Sequence, residues 1–181
     1  GLLSLSRNQR KIASVVAESH RDIPAAFTAV RVDVTEALSI ARELTRRLRV
    51  LVGLTELVVK ATADLLDAFP IFFATPAGNG RALRATGAHV GVTLDRGKGM
   101  YVPVVRDADR RTLAEIARDL MRLRTIAGNG VFREQDLRGG NIMVTLHVDG
   151  VVLAVPIIFP GQICALSLST PLPEVREESG G

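Results

Sequence analysis

Two apolar runs, Ala88 to Leu94 and Met100 to Val105, flank the stretch Asp95-Arg96-Gly97-Lys98-Gly99 and lead into Thr112-Leu113-Ala114-Glu115. Glycines at 97 and 99 between β-rich runs predict a strand–turn–strand unit. Thr112 with Glu115 three positions on is a capping box, so a helix should start there and run to about Ile126, with Arg118, Arg122 and Arg124 exposed. A hairpin feeding a helix is incompatible with a regular βαβ chain and restricts the fold to α+β layers.

The remaining chain extends that pattern. Ile12, Val15 and Val16 share one side of a helix over residues 7–19. Ala26 to Val32 has strand-like composition. Asp33, three positions before Glu36, predicts a helix cap and a helix to about Leu48. A further helix opens at Thr55, carries Leu57, Val58, Ala61, Leu65 and Leu66 inward, and stops at Pro70. Thr75 to Gly80, rich in Gly, Pro and Asn, reads as a loop. Beyond Gly139-Gly140, three strands are expected near 141–147, 151–158 and 163–168. The stretch from Pro171 to Gly181 is polar and is expected to fray. A chain of 181 residues that is 47% hydrophobic fits one domain over residues 1–170 followed by that tail.

Composition excludes several classes. The net charge is +4 and aromatics make up 4%, so no stacking platform for nucleic acid is visible and no nucleic-acid partner is expected. No run reaches the ~18 to 20 apolar residues that span a bilayer, and no membrane partner is expected. The single cysteine, Cys164, rules out a disulfide within the chain and points to a cytoplasmic protein. Cys164 itself reads as a core thiol rather than a nucleophile. His20, His89 and His147 are far apart, so no metal site is expected. No GxxxxGK[ST], GxGxxG or GxSxG run is present. Asp107, Asp109 and Glu18 read as solvated acids.

His147 is different because it follows Val144-Thr145-Leu146. Alternation puts Thr145, His147 and Asp149 on one side of a strand. A hydroxyl, a base and an acid together would suit acyl transfer; the polar outer face of a hairpin would show the same residues.

The run Gly91-Val92-Thr93-Leu94 through Met100-Tyr101-Val102-Pro103-Val104-Val105-Arg106-Asp107-Ala108-Asp109 resembles a hairpin of the dihydrolipoyl acyltransferase catalytic domains, written there as GVA-T-GL-VPVVR-AD. The following family helix is matched by Thr112-Leu113-Ala114-Glu115-Ile116-Ala117. Arg10-Lys11-Ile12-Ala13, Leu54 to Ala61, Phe132 to Gly140 and Ile157 to Gln162 also agree, in order. The resemblance covers nearly all of residues 5–170 and implies an α+β, chloramphenicol-acetyltransferase-like mixed sheet flanked by helices. It further implies a possible homotrimer with sites between subunits. Coenzyme A, lipoyl or an acyl carrier protein would present a short acyl group, expected to be acetyl, as a thioester to a thiol or hydroxyl acceptor.

The family's oxyanion-stabilising serine or threonine, on the strand after Gly-Gly, falls on Thr145. The family base lies in an Asp-His-Arg-x-x-Asp-Gly motif that these 181 residues do not contain. Residues 1–170 are therefore expected to be a C-terminally incomplete catalytic domain, with the base supplied by further chain or replaced by His147. No lipoyl segment is present either, so a carrier would act in trans, as for a discrete enzyme of secondary metabolism. The alternative is a non-catalytic scaffold or assembly subunit of the same fold.

Overall fold

A computed structural model describes residues 2–95, 100–147 and 150–174. Helix α1 (Arg7–Asp22) starts at a Ser6 capping box, and α2 (Thr35–Leu48) follows an irregular stretch. Helix α3 (Leu54–Ala63) leads through turns to a short 3-10 segment, Pro70–Phe73. Strands β1 (Thr75–Gly78) and β2 (Arg81–Leu83) form a small hairpin. Strands β3 (Val90–Val92), β4 (Leu94–Asp95), β5 (Met100–Tyr101) and β6 (Val104–Val105) follow. Then come α4 (Leu113–Asn129), α5 (Glu134–Leu137), β7 (Ile142–Leu146) and β8 (Ala165–Leu168).

The main sheet has the order β6-β3-β7-β8. Strand β6 lies antiparallel to β3, whereas β3–β7 and β7–β8 are parallel, so the sheet is mixed. The chain between β3 and β7 contains α4, whose buried Ile116, Leu120 and Leu123 join Val59 and Ala63 of α3 in covering one face. Val90, Val92, Ile142 and Val144 project into that core. Alternation then sends Gly91, Met143, Thr145, Ala165 and Ser167 to the other face.

The capping box at Thr112 forms as the spacing predicts: Glu115 N–H donates to Thr112 Oγ1, and Thr112 N–H donates to Glu115 Oε2. Asp33 accepts a hydrogen bond from Thr35 N–H at 2.9 Å, one residue earlier than a direct cap, because Val34 occupies the cap position.

Several expected elements differ. Residues 26–32 form no strand; Val30 is 78% exposed, and among the described residues no strand lies alongside to complete a ladder. The loop expected over 75–80 is instead β1 and its turn, where Gly78, Asn79 and Gly80 all take positive φ; with both hairpin strands exposed, no apolar alternation signalled them. Residues 151–158 are irregular, with Val152 73% exposed, and Pro156 cannot donate to a ladder.

Within α3, Val59, Thr62 and Ala63 face inward while Ala61 points out. Leu65, expected inside, lies beyond the helix end and is exposed. The strand expected near 163–168 is shorter and parallel to its neighbour. Residues 171–174 are irregular, and the rest of the tail expected from Pro171 lies outside the described residues. So do most of the turn over 95–99 and Asp149.

Arg124, expected at the surface, is drawn inward by Glu56. The Glu56 side chain is 1% exposed and accepts 2.6 Å from Arg124 Nη1 and 2.7 Å from Gly53 N–H. One carboxylate thus caps α3 and fastens it to α4.

Candidate functional site

The site expected from the sequence lies on the sheet face turned away from α3 and α4. Strand β7 carries Thr145 there because its alternate residues, Val144 and Ile142, fill the apolar core. Thr145 is partly buried, and its Oγ1 lies 2.9 Å from Thr93 Oγ1. The parallel register brings them together: Val92 pairs with Val144, so the next residues, Thr93 and Thr145, stand side by side. Thr93 N–H also donates to Val144 C=O at 3.2 Å, fixing the backbone beneath the hydroxyl pair.

On the other side of β7, Thr145 pairs in register with Ser167 of β8. The Ser167 Oγ is buried and has no hydrogen-bond partner among the described residues. Three adjacent strands therefore present hydroxyls at one level. Gly91 lets Val102 pack against this face: a Cβ there would sit 3.1 Å from Val102 Cγ1, tighter than ordinary packing.

His147 lies just past the end of β7, which stops at Leu146 rather than reaching 147. Its N–H donates to Leu168 C=O at 3.0 Å, and its C=O accepts from Thr170 Oγ1 at 3.3 Å. The backbone at His147 is thus anchored to the end of β8. The structure bonds the Thr145 hydroxyl to Thr93 and not to His147.

The start of β7 is fixed by a separate network. Asn141 accepts from His89 N–H at 2.9 Å and donates to Gly87 C=O at 2.8 Å. Asp109 accepts from Ala88 N–H at 2.7 Å, and His89 Nδ1 accepts from Asp107 N–H at 3.1 Å. His89 and Asp109 thereby hold the start of β3. Buried Gln162 donates to Gly140 C=O at 3.0 Å and pins the Gly-Gly pair that precedes Thr145.

Cys164 packs against the core, and burial raises its thiol pKa above the ordinary value. The neutral thiol therefore persists at pH values where a free cysteine begins to ionise, and it is the thiolate that reacts. At pH 8, iodoacetamide should alkylate Cys164 more slowly in the native protein than after guanidinium unfolding. Equal rates, followed by mass spectrometry, would contradict this placement.

Among the described residues no group of three metal-ligating side chains converges, and no described helix is long and apolar enough to cross a membrane. Thr145 and His147 are the residues expected from the sequence; Thr93 and Ser167, which the structure places beside Thr145, were not singled out. The available signal was a hydroxyl in each of two otherwise apolar runs, Val92-Thr93-Leu94 and Leu166-Ser167-Leu168.

A mixed sheet packed on helices in this order is the α+β architecture of the chloramphenicol-acetyltransferase-like acyltransferases. Superposition gives a TM-score of 0.90 with Azotobacter vinelandii dihydrolipoamide acetyltransferase, at 20% identity over 98% of this chain and 75% of that one. A truncated catalytic core of the 2-oxoacid dehydrogenase multienzyme complex from Thermoplasma acidophilum gives 0.88, at 20% identity over 96% of this chain and 82% of that one.

The chain belongs to the family of 2-oxoacid dehydrogenases acyltransferase (catalytic domain), whose sequence model matches residues 2–180. It is 28% identical to the succinyltransferase component of the 2-oxoglutarate dehydrogenase complex of Rickettsia typhi, over 91% of this chain and 42% of that protein. It is 26% identical to the mitochondrial pyruvate dehydrogenase protein X component of Mus musculus, over 97% of this chain and 35% of that protein. The chain thus spans less than half the length of these curated relatives.

Proposed function

We propose that this chain is an acyltransferase that moves a short acyl group, such as acetyl, between coenzyme A and the thiol of a dihydrolipoyl group. The observation that carries the reading is the partly buried Thr145 hydroxyl, on the sheet face away from the helices and five positions past Gly140. The acceptor thiol gives its proton to a base, and the thiolate forms a new C–S bond at the thioester carbonyl. Thr145 donates a hydrogen bond to the resulting oxyanion. Collapse breaks the original C–S bond, and the departing thiolate takes up a proton. Preorganised donors of this kind contribute roughly 3–4 kcal/mol to such transition states.

We assign the base to His147, the titratable side chain two positions from Thr145. The family relatives named above are components of 2-oxoacid dehydrogenase complexes, which favours lipoyl and coenzyme A as carriers over the acyl carrier protein of secondary metabolism. The test is acetyl transfer from acetyl-coenzyme A to dihydrolipoamide, followed as thioester formation. Protein-dependent turnover is expected. No turnover, with co-purification into a 2-oxoacid dehydrogenase core, would establish the scaffold reading instead.

Either reading calls for assembly, and the surface supports it. The accessible area is 12313 Å², against about 8,500 Å² for a compact monomer of 19.4 kDa by the usual mass scaling. The excess includes exposed apolar side chains at Leu2, Leu3, Val30, Val32, Val152 and Val155. We read these exposed apolar side chains as candidates for a contact surface between subunits. Light scattering should give a homo-oligomer, a trimer by family resemblance. A monomer throughout the micromolar range would contradict the assembly reading.

A further inference from the structure

A threonine hydroxyl has one hydrogen to donate and two lone pairs with which to accept. That arithmetic decides whether Thr145 is available for an oxyanion. At 2.9 Å from Thr93 Oγ1, one of the two hydroxyls donates to the other. If Thr145 donates to Thr93, its single hydrogen is consumed within the sheet. If Thr93 donates to Thr145, the Thr145 hydrogen is free and is directed away from β3.

Three observations bear on which arrangement serves an incoming acyl oxygen. Thr93 and Thr145 share a level because β3 and β7 are parallel and in register, so their separation is set by backbone hydrogen bonds and not by flexible chain. Among the described residues neither hydroxyl has another side-chain partner, so the pair can be set either way, and an acyl oxygen that accepts from Thr145 requires Thr93 to be the donor. On the opposite flank, Ser167 pairs in register with Thr145, yet its Oγ makes no hydrogen bond among the described residues. It therefore takes no share of the Thr145 donor.

We propose that Thr93 is a positioning residue of the acyl-transfer site, donating to Thr145 so that the Thr145 hydrogen is aimed at the acyl oxygen. The inference rests on the reading of Thr145 as the oxyanion donor. An accepted hydrogen bond also polarises the Thr145 hydroxyl and strengthens the bond it donates. Thr93 touches neither carbonyl nor thiol; it acts through Thr145.

The test is steady-state kinetics of acetyl transfer from acetyl-coenzyme A to dihydrolipoamide, using the whole protein. Thr93→Val keeps shape and β-branching while removing the hydroxyl. It should lower kcat roughly tenfold with KM for acetyl-coenzyme A unchanged. That lies above the factor of ~3 from releasing a three-position rotor and below the ~100-fold effect of deleting a whole donor. Thr93→Ser, which restores the hydroxyl, should return kcat to within about threefold of the parent, the same rotor factor. In a Thr145→Val background, Thr93→Val should have no further effect, an outcome that a general loss of packing would not produce.

A parental or faster rate in Thr93→Val, with Thr145→Val impaired, would overturn the role of Thr93 and leave the Thr145 reading standing. So would failure of Thr93→Ser to rescue. A parental rate in Thr145→Val would overturn the underlying reading, and absence of any turnover in the parent would overturn both.

Discussion

Thr145→Val is expected to reduce acetyl-transfer turnover about a hundredfold or more while leaving the fold intact. Valine preserves the branched shape that β7 packs beside β3 and β8, and its β propensity is at least as high. What disappears is the hydroxyl hydrogen, and deletion of one oxyanion donor costs about 10²–10³ in kcat. The Thr93 hydroxyl also loses its 2.9 Å partner, but at a partly buried site this is a small stability term. Circular dichroism and the melting temperature should therefore stay close to the parent while kcat falls. His147→Ala separates the roles further. A collapse in rate identifies His147 as the base, whereas a near-parental rate assigns that step to another residue.

Arg124→Met should have the largest effect on stability. It leaves the Glu56 carboxylate, 1% exposed, without its 2.6 Å partner. Removing one member of a buried ion pair costs about 3–5 kcal/mol, because the remaining charge is stranded. For a chain of this size that corresponds to a melting point lower by roughly 6–20 °C. Glu56→Gln should cost less, since an amide oxygen can still accept from Gly53 N–H, which now donates 2.7 Å to the carboxylate. Equal, small effects of both substitutions in thermal unfolding would show that the pair does not join α3 to α4.

The helices and the central strands were legible because each carries its own local signal. Thr112 and Glu115 announce α4, and the Val90–Val92 and Ile142–Leu146 runs announce β3 and β7. The stretches over 26–32 and 151–158 have strand composition but no partner strand among the described residues, and composition alone cannot reveal a missing neighbour. The hairpin of β1 and β2 was hidden for the opposite reason: its residues are exposed and carry no apolar alternation.

Thr145 was proposed from its distance to the Gly-Gly pair and from the family resemblance. Its neighbours Thr93 and Ser167 were not, because parallel register joins residues 52 and 22 positions away. Register of that kind is fixed by tertiary packing. Arg124 was misplaced at the surface for a similar reason: its partner Glu56 sits 68 positions earlier.

The central claim is that the acyl carbonyl sits against the Thr145 hydroxyl, on the sheet face away from α3 and α4. A crystal structure of the protein with acetyl-coenzyme A measures this directly. The account predicts the thioester oxygen about 3 Å from Thr145 Oγ1, a hydrogen-bonding distance, with Thr93 Oγ1 still in contact behind it. A thioester bound elsewhere, with Thr145 hydrogen-bonded only within the sheet, would contradict it.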